Sequence, residues 1–212
     1  MYRLIYADPP WAYNDLGQSG SKKNSGSASH YSVMTVDDIC ALDVPGVCAP
    51  DALLFLWTTG PHIPSALRVL DRWDFEFKTV GFTWVKTGRV DASERALSKA
   101  ICLTRDQRRA LKEHPHLLTP AYPIGQGSYT RANPEYVLIG KRGRGVERVN
   151  KGVRCEVFAP RGAHSRKPDI VATKIEQLVG DVPRLEMFAR RSRPGWDVWG
   201  NEVDSTTSMR GT

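Results

Sequence analysis

Short apolar runs alternate along the chain with segments of helical periodicity. The first run, Tyr2–Ala7, is apolar and aromatic and predicts a buried β-strand. This strand must end at the tetrapeptide Asp8–Trp11 (D-P-P-W), because two consecutive prolines cannot continue a hydrogen-bonded ladder. A second run, Ala52–Trp57, is uninterrupted and of strand length, which is typical of a strand buried on both faces of a parallel sheet.

Three segments show the spacing of helices. One helix is predicted to begin at Thr35, where Asp38 completes a capping box, and another covers Pro61–Trp73. A third begins near Pro168, which suits the first turn of a helix. Its apolar stripe consists of Ile170, Val171, Ile175, Leu178 and Val179. Further strands are predicted at Phe75–Lys86, Glu135–Gly140, Glu156–Ala159, Leu185–Phe188 and Trp196–Trp199.

The order of these elements predicts an α/β fold. Strands that alternate with helices form an open, mostly parallel sheet with right-handed crossovers and helices on its faces. Ligands of such folds bind beyond the carboxyl ends of the strands. Asp8 directly follows the first strand, so its carboxylate is expected at the ligand-binding edge.

Composition excludes several protein classes. With 212 residues, 41% hydrophobic and 25% charged, the chain matches a globular domain rather than a disordered or fibrous protein. The longest apolar run has six residues, too few for a membrane-spanning helix, and no signal peptide is visible. The four cysteines are widely spaced and form no CxxC pair, so we expect reduced thiols, a cytoplasmic protein and no metal site. Oligomeric state stays open.

The basic residues are concentrated in the middle of the chain. The whole sequence has 30 Lys and Arg against 23 Asp and Glu, a net charge of +7. Residues 86–131 contain 9 basic and 4 acidic side chains, and residues 141–167 contain 9 and 2. Two such segments favour a polyanionic partner such as nucleic acid, although a merely solvated basic surface is the alternative.

The same middle region differs from the rest in pattern. We predict a single domain, 1–203, in which residues 87–130 form a basic insertion and a candidate target-recognition region. Gly17–Ser29 consists mainly of Gly, Ser, Lys and Asn and is expected to be a mobile loop that could close over a substrate. Residues 204–212 are small and polar and are expected to be flexible.

The tetrapeptide after the first strand has the properties of a site for a planar amine. Asp8 offers a carboxylate, and Pro9 and Pro10 lack backbone N–H groups, which predicts unopposed carbonyl acceptors beside it. Trp11 supplies a flat aromatic face. Acceptors that take both hydrogens of an exocyclic –NH₂ make its lone pair available, as methylation of adenine N6 requires, and the carboxylate stabilises the positive charge that develops. A simple proline turn is the alternative.

Several ordered blocks extend this motif across the chain. They are Asp8–Trp11, Leu54–Trp57, Trp84–Thr87, Arg131–Asn133 with Glu135, His164–Pro168, Leu185–Arg190, and Gly195-Trp196 with Gly200–Glu202. In this order they resemble the MT-A70 family of S-adenosylmethionine-dependent adenine N6-methyltransferases, particularly its shorter bacterial and phage members. The resemblance covers about Tyr2 to Val203.

The resemblance implies a Rossmann-like class I methyltransferase fold in which the catalytic motif precedes the cofactor block. By position, the implied catalytic residues are Asp8, Pro9, Pro10 and Trp11. The implied contacts to S-adenosylmethionine are Asp8, Lys167, Phe188, Arg190, Asn201 and Glu202. Lys167 matches the lysine that pairs with the cofactor carboxylate, and Asn201 and Glu202 match a pair that binds the ribose hydroxyls. For each of these positions the alternative is an ordinary structural role in packing, in a turn or as a solvated side chain.

The expected substrate is adenine in DNA, with RNA as the alternative and a catalytically silent nucleic-acid-binding subunit as a third possibility. A base inside a duplex must be flipped out to reach Asp8. Phosphate contacts are predicted for Arg105, Arg108, Arg109 and Lys112 in the insertion, and for Lys141, Arg142 and Arg144 after a strand. Methylation of a protein amide is a further alternative, against which the basic middle region argues.

Overall fold

The computed structural model describes residues 1–12, 33–87, 129–162 and 166–208. The predicted loop Gly17–Ser29, nearly all of the insertion, His164 and the end of the tail lie outside these ranges. The phosphate contacts predicted in the insertion (Arg105, Arg108, Arg109 and Lys112) lie outside them as well.

Seven strands and four short helices are found in the described part of the chain. The strands are β1 (Tyr2–Ala7), β2 (Cys48–Thr58), β3 (Glu76–Thr87), β4 (Glu135–Arg142), β5 (Glu156–Pro160), β6 (Arg184–Met187) and β7 (Asp197–Trp199). The helices are α1 (Val36–Cys40), α2 (Val44–Val47), α3 (Ile63–Arg72) and α4 (Ile170–Val179), and a 3₁₀ turn (Gly60–His62) leads into α3.

The chain divides into two compact units. The first unit contains residues 1–81, 136–153 and 175–212, and the second contains residues 82–135 and 154–174. In the first unit the strand order is β4-β2-β1-β6-β7, and every neighbouring pair is parallel except β2 with β4. In the second unit the end of β3 pairs in parallel with β5. This mixed α/β, mostly parallel arrangement confirms the predicted fold class and is consistent with a Rossmann-like methyltransferase.

The apolar runs that predicted strands form the core of the first unit. Ile5 of β1 and Leu54 of β2 are fully buried and pack in one cluster with Ile39 of α1 and Val69 of α3. The helix α1 begins as predicted, since the Thr35 hydroxyl accepts from the Asp38 N–H at 3.1 Å and the Asp38 carboxylate accepts from the Thr35 N–H at 3.3 Å.

Element boundaries differ slightly from the predictions. The strand expected at Leu185–Phe188 ends at Met187, because Phe188 adopts a left-handed backbone with φ of 59°. Pro168 lies just before α4 rather than inside it, and its carbonyl accepts from the Val171 N–H at 3.1 Å. The run at Ala52–Trp57 is buried as expected, but β2 has an antiparallel neighbour on one side.

Neither a membrane segment nor a metal cluster is found within the described ranges. No helix there has the length and apolar character needed to cross a bilayer. No group of three or more His, Cys, Asp or Glu side chains among these residues could hold a metal ion. Cys40, Cys48 and Cys155 are free thiols.

Candidate active site

Three neighbouring parallel strands of the first unit end at the same level. Ala7 of β1 lies opposite Met187 of β6, and Met187 lies opposite Trp199 of β7. The segments that follow these strands therefore leave the sheet side by side. They carry Asp8, Phe188, Arg190, Asn201 and Glu202, so five of the residues predicted for catalysis or cofactor binding share one sheet edge.

Asp8 is half-buried and directly follows β1, two residues beyond Tyr6. Tyr6 is buried, its hydroxyl accepts from the Trp57 indole N–H at 2.7 Å, and burial raises its pKa. The negative charge of Asp8 contributes to the raised pKa of Tyr6 and to that of Glu186 on β6. The carboxylate therefore acts on a low-dielectric surface, where its charge has a larger effect than in water.

The proline carbonyls differ from the prediction. They were expected to be unopposed acceptors, but the Pro9 carbonyl accepts from the Trp11 N–H at 2.9 Å, and the Pro10 carbonyl accepts from the Met34 N–H at 3.0 Å. That part of the prediction is wrong, because the motif folds into a tight turn and pairs with the chain at Met34. Each carbonyl keeps a second lone pair with which it can accept another hydrogen bond.

Trp11 is also less open than predicted. Its side chain is only 7% exposed, and its indole N–H donates to the Trp57 carbonyl at 3.1 Å. The ring of His62 stacks on it at 5.8 Å between centroids, with an interplanar angle of 24°. In this conformation Trp11 anchors the motif to β2, and it does not present a broad free face for a base.

His62 is a residue that the sequence analysis missed. It is one of two buried polar or charged residues in the described part of the chain, and its Nδ1 lies 3.0 Å from the Thr59 hydroxyl. Its Nε2 lies 3.4 Å from the Ala12 carbonyl, directly after the motif. The only sequence signal was a lone histidine at the start of a helix, which does not reveal a contact with Trp11.

The turns after β6 and β7 fit closely against each other. An added Cβ at Gly200 would lie 2.3 Å from the Ala189 carbonyl oxygen, so the close approach of these backbones requires glycine. The Ala189 N–H donates to the Trp199 carbonyl at 3.0 Å, and the Phe188 ring meets the Trp199 ring edge-on at 5.4 Å. This packing fixes the direction in which the following polar residues leave the sheet.

Those polar residues are accessible and include an ion pair. Arg190 Nε lies 3.6 Å from Glu202 Oε1, and both side chains are partly exposed. Asn201 is exposed beside them. Because Glu202 and Asn201 both offer acceptor oxygens, and Asn201 can also donate, they suit the paired hydroxyl groups of a ribose.

A second acid at this edge is Glu186, which is mostly buried. Its Oε2 accepts from Arg193 Nε at 3.2 Å, and the exposed fractions of the two side chains are 17% and 16%. Burial raises the pKa of Glu186, while Arg193 opposes that shift. Glu186 pairs in register with Tyr6, so these two side chains lie on the same face of the sheet.

Lys167 belongs to the second unit, where it forms a buried charge cluster. Its Nζ lies 3.2 Å from Glu135 Oε2, and Lys86 Nζ lies 2.7 Å from Glu135 Oε1. Burial acts to raise the pKa of Glu135, but the two lysines outweigh it and hold that pKa below its ordinary value.

The structure places Lys141, Arg142 and Arg144 away from Asp8. Arg142 lies opposite Ala52, near the start of the parallel strand β2, whereas Ala7 lies opposite Leu56, four residues further along, about 13 Å at the rise of a strand. Arg142 also donates to the Pro45 carbonyl at 2.9 Å and pairs with Asp74 at 3.1 Å. Arg144 pairs with Asp51 at 2.7 Å. Their predicted phosphate contacts stay a prediction, because the insertion residues with which they were expected to act lie outside the described ranges.

Comparisons with known proteins agree with this geometry. The model of the MT-A70 family matches residues 2–108 and 115–202. The type II methyltransferase M.MunI of a Mycoplasma species is 31% identical, over 95% of this chain and 78% of the relative. A Drosophila melanogaster N(6)-adenosine-methyltransferase MT-A70-like protein is 27% identical, and human N(6)-adenine-specific methyltransferase METTL4 is 26% identical. These matches cover 96% and 95% of this chain but only 27% and 37% of those longer relatives.

Proposed function

The chain belongs to the MT-A70 family and is an adenine N6-methyltransferase, and from this premise we propose that it acts on DNA with S-adenosylmethionine as methyl donor. The observation that carries the proposal is the common level at which β1, β6 and β7 end. It brings the acid of the Asp8–Trp11 motif to the same edge as side chains suited to an adenosyl group, as a direct transfer between two bound molecules requires.

The role of Asp8 follows from its position. When bound, S-adenosylmethionine supplies an electrophilic methyl group on a sulfonium sulfur. Asp8 accepts one hydrogen of the adenine –NH₂, and a remaining lone pair of the Pro9 or Pro10 carbonyl accepts the other. The bound cofactor would donate its methyl group to N6, its sulfur would keep the electron pair of the broken bond, and N6 would afterwards release one proton to water. The Asp8 carboxylate stabilises the positive charge on N6 before that release.

The other residues of the motif hold Asp8 in place. The hydrogen bond from Trp11 to the Trp57 carbonyl and the stacked His62 fix the far end of the motif to β2 and to the turn before α3. A small misplacement of a reacting group greatly lowers the reaction rate, so this anchoring supports the reaction. Trp11 contributes in this way although little of its aromatic ring is exposed to a base.

We assign the cofactor contacts to the residues that the family motif matches. Phe188 and Arg190 are proposed to contact the adenosyl group, and Asn201 and Glu202 are proposed to bind its ribose. The exposure of Asn201 and Glu202 supports these roles. Lys167 is proposed to pair with the cofactor carboxylate, as the lysine that the family motif matches.

DNA is favoured because the relative that this chain matches over most of its length is a type II methyltransferase. RNA is the second candidate substrate, because two fungal relatives are named N6-methyladenosine RNA methyltransferases. In the proposed complex a target adenine leaves its stack to reach Asp8, and Arg105, Arg108, Arg109 and Lys112 contact phosphates.

Transfer of a labelled methyl group to matched DNA, RNA and protein substrates tests the proposal. DNA oligonucleotides that contain adenine should be labelled, and the same oligonucleotides with every adenine replaced should not. Preferential labelling of RNA of the same sequence would show that RNA, and not DNA, is the substrate. Labelling of a protein substrate alone would overturn the proposed function.

A further inference from the structure

The chain that follows Glu202 folds back along the outer edge of β7. This strand ends the strand order of the first unit, so its outer edge needs hydrogen-bonding partners other than a neighbouring strand. Thr206 provides them for the middle residue of β7. Its N–H donates to the Val198 carbonyl at 2.9 Å, and its hydroxyl oxygen accepts from the Val198 N–H at 2.8 Å. A single threonine thus fixes this segment to the sheet.

Ser205 makes a second attachment, one residue earlier. Its hydroxyl oxygen accepts from the Gly200 N–H at 3.2 Å, and its hydroxyl donates to the Gly200 carbonyl at 3.4 Å. Gly200 and Ser205 flank a turn, residues 201–204, whose first two members are Asn201 and Glu202. The Ser205 hydroxyl therefore ties together the two ends of the turn that carries the proposed ribose contacts.

Gly200 is also held from its other side. The Ala189 N–H donates to the Trp199 carbonyl at 3.0 Å, and the backbones of Ala189 and Gly200 lie too close together for a Cβ at Gly200. Gly200 therefore lies between the turn after β6 and the Ser205 side chain. All of these residues belong to the first unit, so its own packing defines where the turn begins.

The side chains of Asn201 and Glu202 depend on this backbone for their direction. Both are exposed. The ion pair from Arg190 to Glu202 is 3.6 Å long and partly exposed, so it restrains Glu202 only weakly. The hydrogen bonds from Ser205 and Thr206 are the stronger restraint on where the turn places these two side chains.

We propose that Ser205 and Thr206 are positioning residues for the ribose of S-adenosylmethionine, because they hold the turn from which Asn201 and Glu202 meet the ribose hydroxyl groups. This inference rests on the proposed function, since it takes the cofactor as its ligand. A turn that is ordered before the ligand arrives loses less conformational freedom on binding, which favours affinity. Ser205 and Thr206 therefore act on cofactor binding rather than on methyl transfer itself.

The test compares two ligands that differ only in the ribose hydroxyl groups. Dissociation constants for S-adenosylhomocysteine and its 2′,3′-dideoxy analogue are measured by calorimetry with the wild-type chain and with Ser205→Ala. Ser205→Ala should weaken binding of S-adenosylhomocysteine about fivefold, as expected for the loss of one hydrogen bond. Binding of the dideoxy analogue should change by less than about twofold, because it offers no hydroxyl group to the turn.

Two further variants serve as controls for the loss of the hydroxyl. Ser205→Thr keeps the hydroxyl at an exposed position and should restore the wild-type preference between the two ligands. Ser208→Ala removes the hydroxyl of an exposed serine of the same segment and should change neither dissociation constant. A preference lost in Ser205→Ala and kept in both controls assigns the effect to the bonds with Gly200.

Thr206→Val and steady-state kinetics give independent measurements. Thr206→Val keeps the shape of the side chain but removes the acceptor for the Val198 N–H, so it should lower the ligand preference in the same direction. In methyl-transfer assays both Ser205→Ala and Thr206→Val should raise KM for S-adenosylmethionine more than they lower kcat. A general loss of folded enzyme would lower kcat instead.

The outcomes separate the inference from the function on which it rests. A wild-type chain that prefers the hydroxylated ligand, with the same preference in Ser205→Ala and Thr206→Val, refutes the inference and leaves the ribose site standing. Equal weakening of both ligands in these variants also overturns it, since the hydroxyls would then contribute only general stability. A wild-type chain without any preference refutes the proposed ribose site and the inference together, and one that binds neither ligand refutes the proposed cofactor.

Discussion

Trp11 donates its indole N–H to the backbone carbonyl of Trp57 at 3.1 Å. The hydrogen bond ties the end of the Asp8–Trp11 motif to β2, while the beginning of the motif is fixed by β1. The turn that carries Asp8 is thus held from two neighbouring strands. Its rigidity comes from this pair and from the His62 ring that stacks on Trp11, as well as from the two prolines.

Replacing Trp11 with Phe tests this anchoring. The variant keeps an aromatic ring but leaves the Trp57 carbonyl without its donor, so it should lower the free energy of unfolding by about 1–2 kcal/mol. It should also lower kcat more strongly than it lowers affinity for S-adenosylmethionine. Urea denaturation and steady-state methyl transfer measure the two effects.

Trp73→Phe is the matched control for that variant. Trp73 is fully buried in the same core and donates its indole N–H to the Ile39 carbonyl at 3.0 Å. It should cost a similar free energy of unfolding and leave kcat nearly unchanged. Equal losses of kcat in the two variants would show that Trp11 contributes only general stability.

Gly200→Ala tests the close fit of the turns after β6 and β7. The new methyl group would meet the backbone of Ala189, which can relieve the clash only by moving the turn. We expect a loss of about 1–3 kcal/mol of stability and at least a tenfold loss of cofactor affinity. Gly60→Ala is the control, because no heavy atom lies within 4 Å of a Cβ there. Normal cofactor binding by Gly200→Ala would contradict the proposed ribose site.

The pH dependence of stability reports the state of Glu135. Its pKa is lower in the folded chain than in the unfolded one, so its ionisation stabilises the fold at neutral pH. This contribution is lost as the pH falls below about 4.3, the ordinary range for Glu, and through the folded-state pKa. Glu135→Gln should therefore show a shallower loss of unfolding free energy between pH 7 and pH 3.

The control for this measurement is Glu76→Gln. The pKa of Glu76 is also lowered, by its pair with Lys78, but the glutamate is exposed and solvent screens the interaction. Its substitution should change the pH profile much less. Parallel profiles for wild type and Glu135→Gln would mean that the buried cluster contributes nothing to folding.

The salt dependence of DNA binding distinguishes the two predicted groups of basic residues. Replacing Arg105, Arg108 and Arg109 with Ala should reduce the slope of log affinity against log salt by about 2–3, if each contacts one phosphate. Replacing Lys141 and Arg144 with Ala should leave the slope unchanged, because they lie near the opposite end of the strands from Asp8. The reverse result would place the DNA at that opposite end.

The sequence was most informative about elements whose pattern is local. The apolar runs gave β1 and most of β2, because continuous burial leaves a continuous apolar signal. The capping box at Thr35 and Asp38 could also be predicted from the sequence, since both of its hydrogen bonds lie within one turn. The place of Asp8 at a strand end followed from the prolines after it.

Contacts between distant segments could not be predicted in the same way. Whether Trp11 is an open face or a buried anchor depends on His62 and Trp57, which no local pattern connects to it. The expected unopposed carbonyl of Pro10 was a wrong prediction for the same reason, since its donor is the distant Met34. The Lys86 and Glu135 contact likewise exists only after folding.

The most direct test of the account is methyl transfer by Asp8→Ala, measured with labelled S-adenosylmethionine and adenine-containing DNA. The account predicts that transfer falls by about 10²–10³-fold or more, because the developing charge on N6 loses its stabilising carboxylate. Affinity for the cofactor, measured on the same preparation, should fall far less than transfer does, because Asp8 is only one of the six implied cofactor contacts. Transfer within tenfold of the wild-type rate, with the cofactor bound normally, would contradict the central role given to this carboxylate.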